Sequence, residues 1–192
     1  MVRDAAATRA RILRAAVDEF AAHGLAGGRV DRIARAAGAN VRSLYVYYGN
    51  KERLFHAAVT EALHALGEEV PVTPEDLAGF AGRTFDWLLA HPDAVRLSRW
   101  RFLEAPDAGP DDTGVYADLT ARMMEDPARS PHALPAADVL VLVHGMAAAW
   151  VSTSRDLLSA DGRDPQDPVR VADHRAALVE AVRRLGAPPA TG

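Results

Sequence analysis

The chain lacks cysteine altogether and carries a single lysine, Lys51, among 192 residues. Without cysteine there can be no disulfide, no thiolate nucleophile and no cysteine-based zinc site. Aromatic residues make up only 6% of the chain, and strand signals are nearly absent. Long apolar runs are missing too: Val139–Val143 falls far short of the roughly 20 residues a membrane span needs. No apolar signal-peptide core follows Met1-Val2-Arg3-Asp4, so the expectation is a soluble, cytoplasmic protein with no membrane partner. G-x-S-x-G, H-E-x-x-H, the P-loop and the dinucleotide glycine pattern do not occur. The seven histidines are scattered. His56 and His64 lie on similar helix faces but too far apart along the axis to share a metal. These absences argue against an enzyme and predict neither a metal nor a cofactor.

Hydrophobic residues reach 49% and charged residues 25%, enough to bury a sizeable core under an ordinary soluble surface. The net charge of −4 conceals an asymmetry. Residues 1–55 hold ten Arg or Lys against five Asp or Glu, a surplus of +5, and the remainder holds twelve against twenty-one, a deficit of −9. A basic tip on an acidic body suits a polyanion-binding protein whose body is repelled from the same polyanion. Chance clustering in an arginine-rich chain would give the same count.

Apolar residues recur at helical spacing almost throughout. Ile12, Leu13, Ala16, Val17 and Phe20 line one face of a helix predicted over 7–23, stopped by Gly24. A second helix is predicted over 29–36, with Gly28 as N-cap and Asp31 at its positive end. Asn40 caps a third over 41–47, and Asn50 a fourth over 51–67. Thr73-Pro74-Glu75-Asp76 is a strong start for a helix reaching Ala90. Pro92 opens another to Glu104, and one more fits between Asp112 and Asp126. A long apolar helix runs from Pro135 to Leu158 and a last one from Pro168 to Leu185. The expected fold is all-α, about nine helices.

The second and third helices, joined by a tight turn at Gly38 and steadied by the first, describe a helix-turn-helix. Gly38 supplies the left-handed backbone that such a turn often needs, and Ala34 and Ala37 are small enough for the helices to approach. Leu44 faces the small core with Leu13, Phe20, Ile33 and Leu54. The outward face of the third helix then carries Val41, Arg42, Ser43, Tyr45, Val46 and Tyr47. Arg42 can donate two hydrogen bonds to guanine, Val41 and Val46 can touch thymine methyls, and the three hydroxyls can reach phosphates. Lys51 sits in the first turn of the fourth helix, where a bound phosphate would relieve the unfavourable meeting of its charge with the helix dipole. Tyr45, Tyr47 and Tyr48 could equally be core aromatics.

Thr8-Arg9-Ala10-Arg11-Ile12-Leu13, Phe20, Gly24, Val30-x-x-Ile33-Ala34, Ala37-Gly38, Leu44-Tyr45-x-Tyr47-Tyr48 and Lys51-Glu52-x-Leu54, in that order, resemble the N-terminal domain of the TetR family of repressors. The resemblance covers about residues 8–55. It implies a helical homodimer whose third helix enters the major groove of double-stranded DNA, and it matches Tyr45 and Lys51 to phosphate-contacting positions. It also marks departures. Gly28 and Arg29 stand where the family usually has Thr or Ser as cap and phosphate contact, so Arg29 becomes the candidate contact. Ala39 replaces a common valine, and Arg42 stands where a small residue or proline is frequent.

The division implied is a DNA-binding domain over 1–50 and a ligand-binding and dimerisation domain over 51–192. The last two long helices would pair with their copies in a homodimer. Val139, Leu142, Val143, Met146 and Trp150 form a broad apolar stripe for that role, and Val171, Leu178, Val182 and Leu185 a narrower one, though either stripe also suits an intrachain core. Candidates to line a small-molecule effector pocket are Trp87, Trp100, Tyr116, Met123, His144 and Trp150, with Phe102 and Met124 beside them. The leading expectation is a repressor released from a palindromic operator by an effector. An activator or a ligand-independent DNA-binding protein would use the same head, and a helical ligand-binding protein would carry it as a vestige.

Overall fold

The computed structural model describes residues 2–105, 120–121 and 135–185. Among the described residues there are nine α-helices and no strand: α1 (Val2–Gly27), α2 (Val30–Ala36), α3 (Val41–Tyr48), α4 (Lys51–Glu69), α5 (Leu77–Ala90), α6 (Pro92–Glu104), α7 (Ala136–Ser152), α8 (Arg155–Leu158) and α9 (Pro168–Leu185). The helix expected between Asp112 and Asp126 lies, apart from the helical pair Thr120–Ala121, outside the described residues. Packing groups the chain into two compact units, residues 1–65 with 91–113 and residues 66–90 with 114–192. α6 therefore shares a unit with the head helices.

In the first unit, Ile12, Ala16, Phe20, Ile33, Leu44, Leu54 and Leu97 are all fully buried, one apolar face from each of α1, α2, α3, α4 and α6. Phe20 meets Phe55 edge to face, ring centroids 5.2 Å apart. Side chains of this size each contribute about 1.5–3 kcal/mol by leaving water, and they fix how the short helices seat on α1.

α1 differs from expectation at both ends. It begins at Val2 rather than Ala7. Gly24 breaks it as foreseen, with φ +68°, but a further helical turn continues to Gly27. The continuation holds because the amides freed by the break find an acceptor: Leu25 N and Ala26 N both donate to the Glu104 carboxylate of α6, Ala26 at 3.1 Å. The N-cap of α2 is Arg29, not Gly28. Gly28 is buried, and a Cβ there would stand 2.6 Å from the Phe20 ring.

In the second unit, α5 is the central element, burying Leu77, Phe80, Ala81, Thr84, Phe85, Trp87 and Leu88 against α7 and α9. α5 begins one turn later than expected, because Pro74–Asp76 forms a 3-10 turn and the Asp76 carboxylate accepts from Gly79 N at 2.8 Å. α7 presents Val139, Val143, Ala147 and Trp150 to this core. It stops at Ser152 instead of reaching Leu158: Thr153 is extended, its hydroxyl donates back to Ala149 O at 2.7 Å, and Ser154 begins the separate α8. Side-chain hydroxyls that bond nearby backbone compete in this way with helix continuation. On α9, Leu178 and Val182 are buried, and Arg175 ties the helix to Asp86 of α5 with bonds of 2.8 and 2.7 Å.

Candidate nucleic-acid interface

The turn between α2 and α3 is closed by backbone and held from α1. Gly38 has φ +59°. Gly38 N donates to Arg35 O at 3.1 Å and Ala39 N to Ala34 O at 2.9 Å, while Arg11 of α1 donates from Nε to Ala37 O at 3.1 Å. Asn40 then starts α3, its side-chain oxygen accepting from Ser43 N at 2.7 Å. At the other end Gly49 has φ +80°, and Asn50 accepts from Arg53 N at 2.7 Å to open α4. The eight residues of α3 span about 12 Å, short enough to lie within a major groove.

α3 has a sharply divided surface. Leu44 and Tyr48 are buried, and the Tyr48 hydroxyl donates to Arg9 O at 3.0 Å with the Arg9 guanidinium 5.5 Å from its ring. Arg42, Tyr45 and Val46 face outward, Tyr45 44% and Val46 72% exposed. Among the described residues Arg42 has neither an ion pair nor a hydrogen bond. Val41, Ser43 and Tyr47 are half-buried at the edges of this face. The Ser43 hydroxyl already donates to Asn40 at 3.0 Å, so reaching a phosphate would require it to leave that cap.

The two cations beside α3 are held by the protein itself. Arg29 pairs with Asp31 through two bonds of 3.1 and 3.2 Å. Lys51 Nζ donates to Ala26 O at 3.2 Å, on the turn that follows Gly24. Sequence reasoning missed the residue behind α2: Glu19 of α1 accepts from Arg29 N at 2.8 Å and from Arg32 Nε at 2.8 Å. Burial pushes its carboxyl up, yet the bonds from Arg32 and the Arg29 amide outweigh that and hold it below the ordinary glutamate range. No local sequence signal points to Glu19, since its partners lie ten and thirteen residues away. The role of Glu104 on α1 is equally hidden, since the amides it accepts from lie 78 and 79 residues away.

The candidate effector residues are dispersed. In the second unit Trp87 is buried and donates from Nε1 to Glu69 at 3.1 Å, and Trp150 is buried with the His174 ring at 4.5 Å and the Arg170 guanidinium at 4.9 Å. His144 of α7 is exposed. Trp100 belongs to the first unit, where its Nε1 donates to Ala21 O at 3.3 Å. Phe102 is 76% exposed. Tyr116, Met123 and Met124 lie outside the described residues. Near Trp150, burial and the neighbouring Arg170 depress the proton affinity of His174, whose Nε2 has no hydrogen-bond partner among the described residues. Among the described residues no group of His, Asp and Glu is arranged to hold a metal ion, and no helix is long and apolar enough to cross a membrane.

Comparison with known proteins agrees with this geometry. Residues 12–58 match the family described as bacterial regulatory proteins, tetR family, and residues 76–184 match the tetracyclin repressor-like C-terminal domain. The chain belongs to the TetR family. It is thus a DNA-binding transcriptional regulator and not an enzyme. It is 38% identical over 183 residues to the HTH-type transcriptional repressor SCO4008 of Streptomyces coelicolor, covering 91% of this chain and 95% of that one. The solved structure of SCO4942 from the same organism superposes with a TM-score of 0.75 at 34% identity, covering 95% and 99% of the two chains. The FadR regulator of Bacillus subtilis, solved with stearoyl-CoA, shares the TetR-family fold at 19% identity and a TM-score of 0.64, covering 90% and 96%. Members of the TetR family generally form dimers and bind DNA and a ligand.

Proposed function

We propose that this protein is a cytoplasmic repressor that binds a palindromic operator as a homodimer and releases it when a small molecule occupies its C-terminal part. In this reading residues 1–50 read DNA and residues 51–192 sense the effector and dimerise. The observation that carries it is the outward face of α3: Arg42, Tyr45 and Val46 stand at i, i+3 and i+4 on a helix capped at both ends, and the Arg42 guanidinium has no protein partner among the described residues. Arg42 reads a guanine edge, Val41 and Val46 meet thymine methyls, and Ser43, Tyr45, Tyr47, Arg29 and Lys51 contact phosphates. The name of the SCO4008 relative supports the sign of regulation.

The effector reading draws on Trp87, Trp150 and His144, with Trp100, Tyr116 and Met123 as further candidates. The effector need only favour the DNA-incompetent state by about 1–3 kcal/mol. The test is selection of an operator from random duplexes, followed by titration in rising salt. Arg42→Ala should cost roughly 1–3 kcal/mol and relax preference at one base pair. Lys51→Ala should weaken all sequences alike and lower the slope of log Kd against log salt by about one. Unchanged binding in both variants would overturn this orientation of α3.

A further inference from the structure

We propose that Glu19 is a positioning residue for DNA recognition, a carboxylate on α1 that closes the N-terminal end of α2 where α2 has no side-chain cap of its own. The inference rests on the reading that α3 enters the groove.

The N-terminus of a helix leaves backbone amides without partners, and a side-chain oxygen at the cap position ordinarily meets one of them. Here that route is closed at two successive residues. Gly28 has no room for a side chain, since a Cβ would stand 2.6 Å from Phe20 and 2.8 Å from Gly24 O. Arg29 occupies the cap position with an extended backbone and makes no side-chain cap bond. Its guanidinium turns instead to Asp31.

Glu19 supplies the acceptor from across the helix interface. Its Oε1 accepts from Arg29 N at 2.8 Å, from Arg32 Nε at 2.8 Å and from Arg32 Nη2 at 2.5 Å, and its Oε2 lies 3.1 Å from Arg32 Nε. Arg32 Nη2 also donates to Gly27 O at 3.2 Å. Glu19 therefore ties α1 to the cap residue and first turn of α2, and Arg32, held by it, reaches back to the Gly27 carbonyl. Its side chain is only 10% exposed, which strengthens each of these charge-assisted bonds.

The consequence reaches α3 through geometry. α2 is fixed to α1 at both ends, by Glu19 at its start and by Arg11 on Ala37 O at its finish. The turn to α3 is closed by backbone bonds, so any tilt of α2 is passed to the reading face. Because Glu19 is half-buried, already paired with Arg32 and negative, it gains nothing from touching DNA. Its loss should change how often the head is competent to bind, and should leave the number of phosphate contacts alone.

The full-length protein with Glu19→Ala or Glu19→Gln is titrated with the selected operator at a temperature where circular dichroism shows all three proteins folded. Glu19→Ala should bind roughly tenfold more weakly, as a drop in the competent fraction dictates, with the salt slope unchanged. Glu19→Gln should fall between, because its carbonyl still accepts from the Arg29 amide. Without DNA, the Arg29 amide resonance should follow carboxylate titration in the wild type and lose that response in Glu19→Gln. Equal affinity of folded Glu19→Ala, a reduced salt slope, or an Arg29 amide indifferent to pH in the wild type would each overturn the proposal. A wild type that selects no operator while its Arg29 amide still titrates would overturn the DNA reading and leave the cap assigned.

Discussion

Glu19 sits under opposing pressures, and their balance fixes a pH dependence. Burial favours its neutral form, whereas Arg32 and the Arg29 amide favour the carboxylate and prevail, so the folded protein holds the group below its ordinary value of 4.5. A group whose folded value is depressed contributes stability that is complete above the unfolded value and is lost as pH falls through the folded one. The difference in unfolding free energy between wild type and Glu19→Gln should therefore be constant above about pH 5 and shrink below about pH 4.5. Urea unfolding at stepped pH measures it, and a gap that widened with acid would contradict the ion-paired carboxylate. At this scale the sequence is legible where a residue acts on its own neighbourhood. Asn40, Asn50 and Gly38 do what their local chemistry predicts, because cap and left-handed turn are settled within four residues. Arg29 and Ser43 are only half legible. Their types suit phosphates, but in the folded chain Asp31 and Asn40 hold them, and composition does not announce such partners.

Helix α6 shows how one element governs another. Two of its side chains sit on the break in α1: Trp100 donates to Ala21 O before Gly24, and Glu104 accepts from the amides of Leu25 and Ala26 after it. Both bonds to Glu104 fall on the same oxygen, so a side-chain amide can replace it and a methyl group cannot. Glu104→Ala should destabilise the first unit by about 1–2 kcal/mol, chiefly through the part-buried Leu25 amide left without an acceptor, and Glu104→Gln by much less. Chemical denaturation followed by Trp fluorescence checks this, and equal effects of the two substitutions would show that the amide bonds carry no weight. The turn so held bears the Ala26 carbonyl on which Lys51 rests, which places the end of α6 one peptide from a proposed phosphate contact. Most helix boundaries follow from apolar periodicity and proline placement, as α6 and α9 illustrate. The extension of α1 past Gly24 and the division of α7 from α8 do not. Each depends on a hydrogen bond, from Glu104 in the first case and from the Thr153 hydroxyl in the second, that periodicity does not register.

At the scale of the whole molecule, α7 and α9 each carry exposed apolar side chains. The stripe read from the sequence divides: Val139, Val143 and Trp150 are used inside the second unit, while Leu142 is 43% exposed, next to Val141 at 70%. Gly145 has open space where a side chain would be, and α9 leaves Val169, Ala172 and Ala176 outward. Small residues beside exposed aliphatic ones allow close helix approach, and TetR-family proteins generally dimerise. A second copy meeting this face would bury it around a two-fold axis, where each substitution is repeated against itself. Leu142→Glu would bring two carboxylates together there, at little cost to a monomer in which the residue is already part-exposed. The expected outcome is a shift from dimer to monomer in sedimentation, with helicity retained. Operator affinity should fall with it, by roughly a hundredfold or more, because the second half-site would no longer be bound at the high effective concentration that linkage provides. A Leu142→Glu protein that sedimented as a dimer and bound its operator normally would place the interface on another face of the second unit.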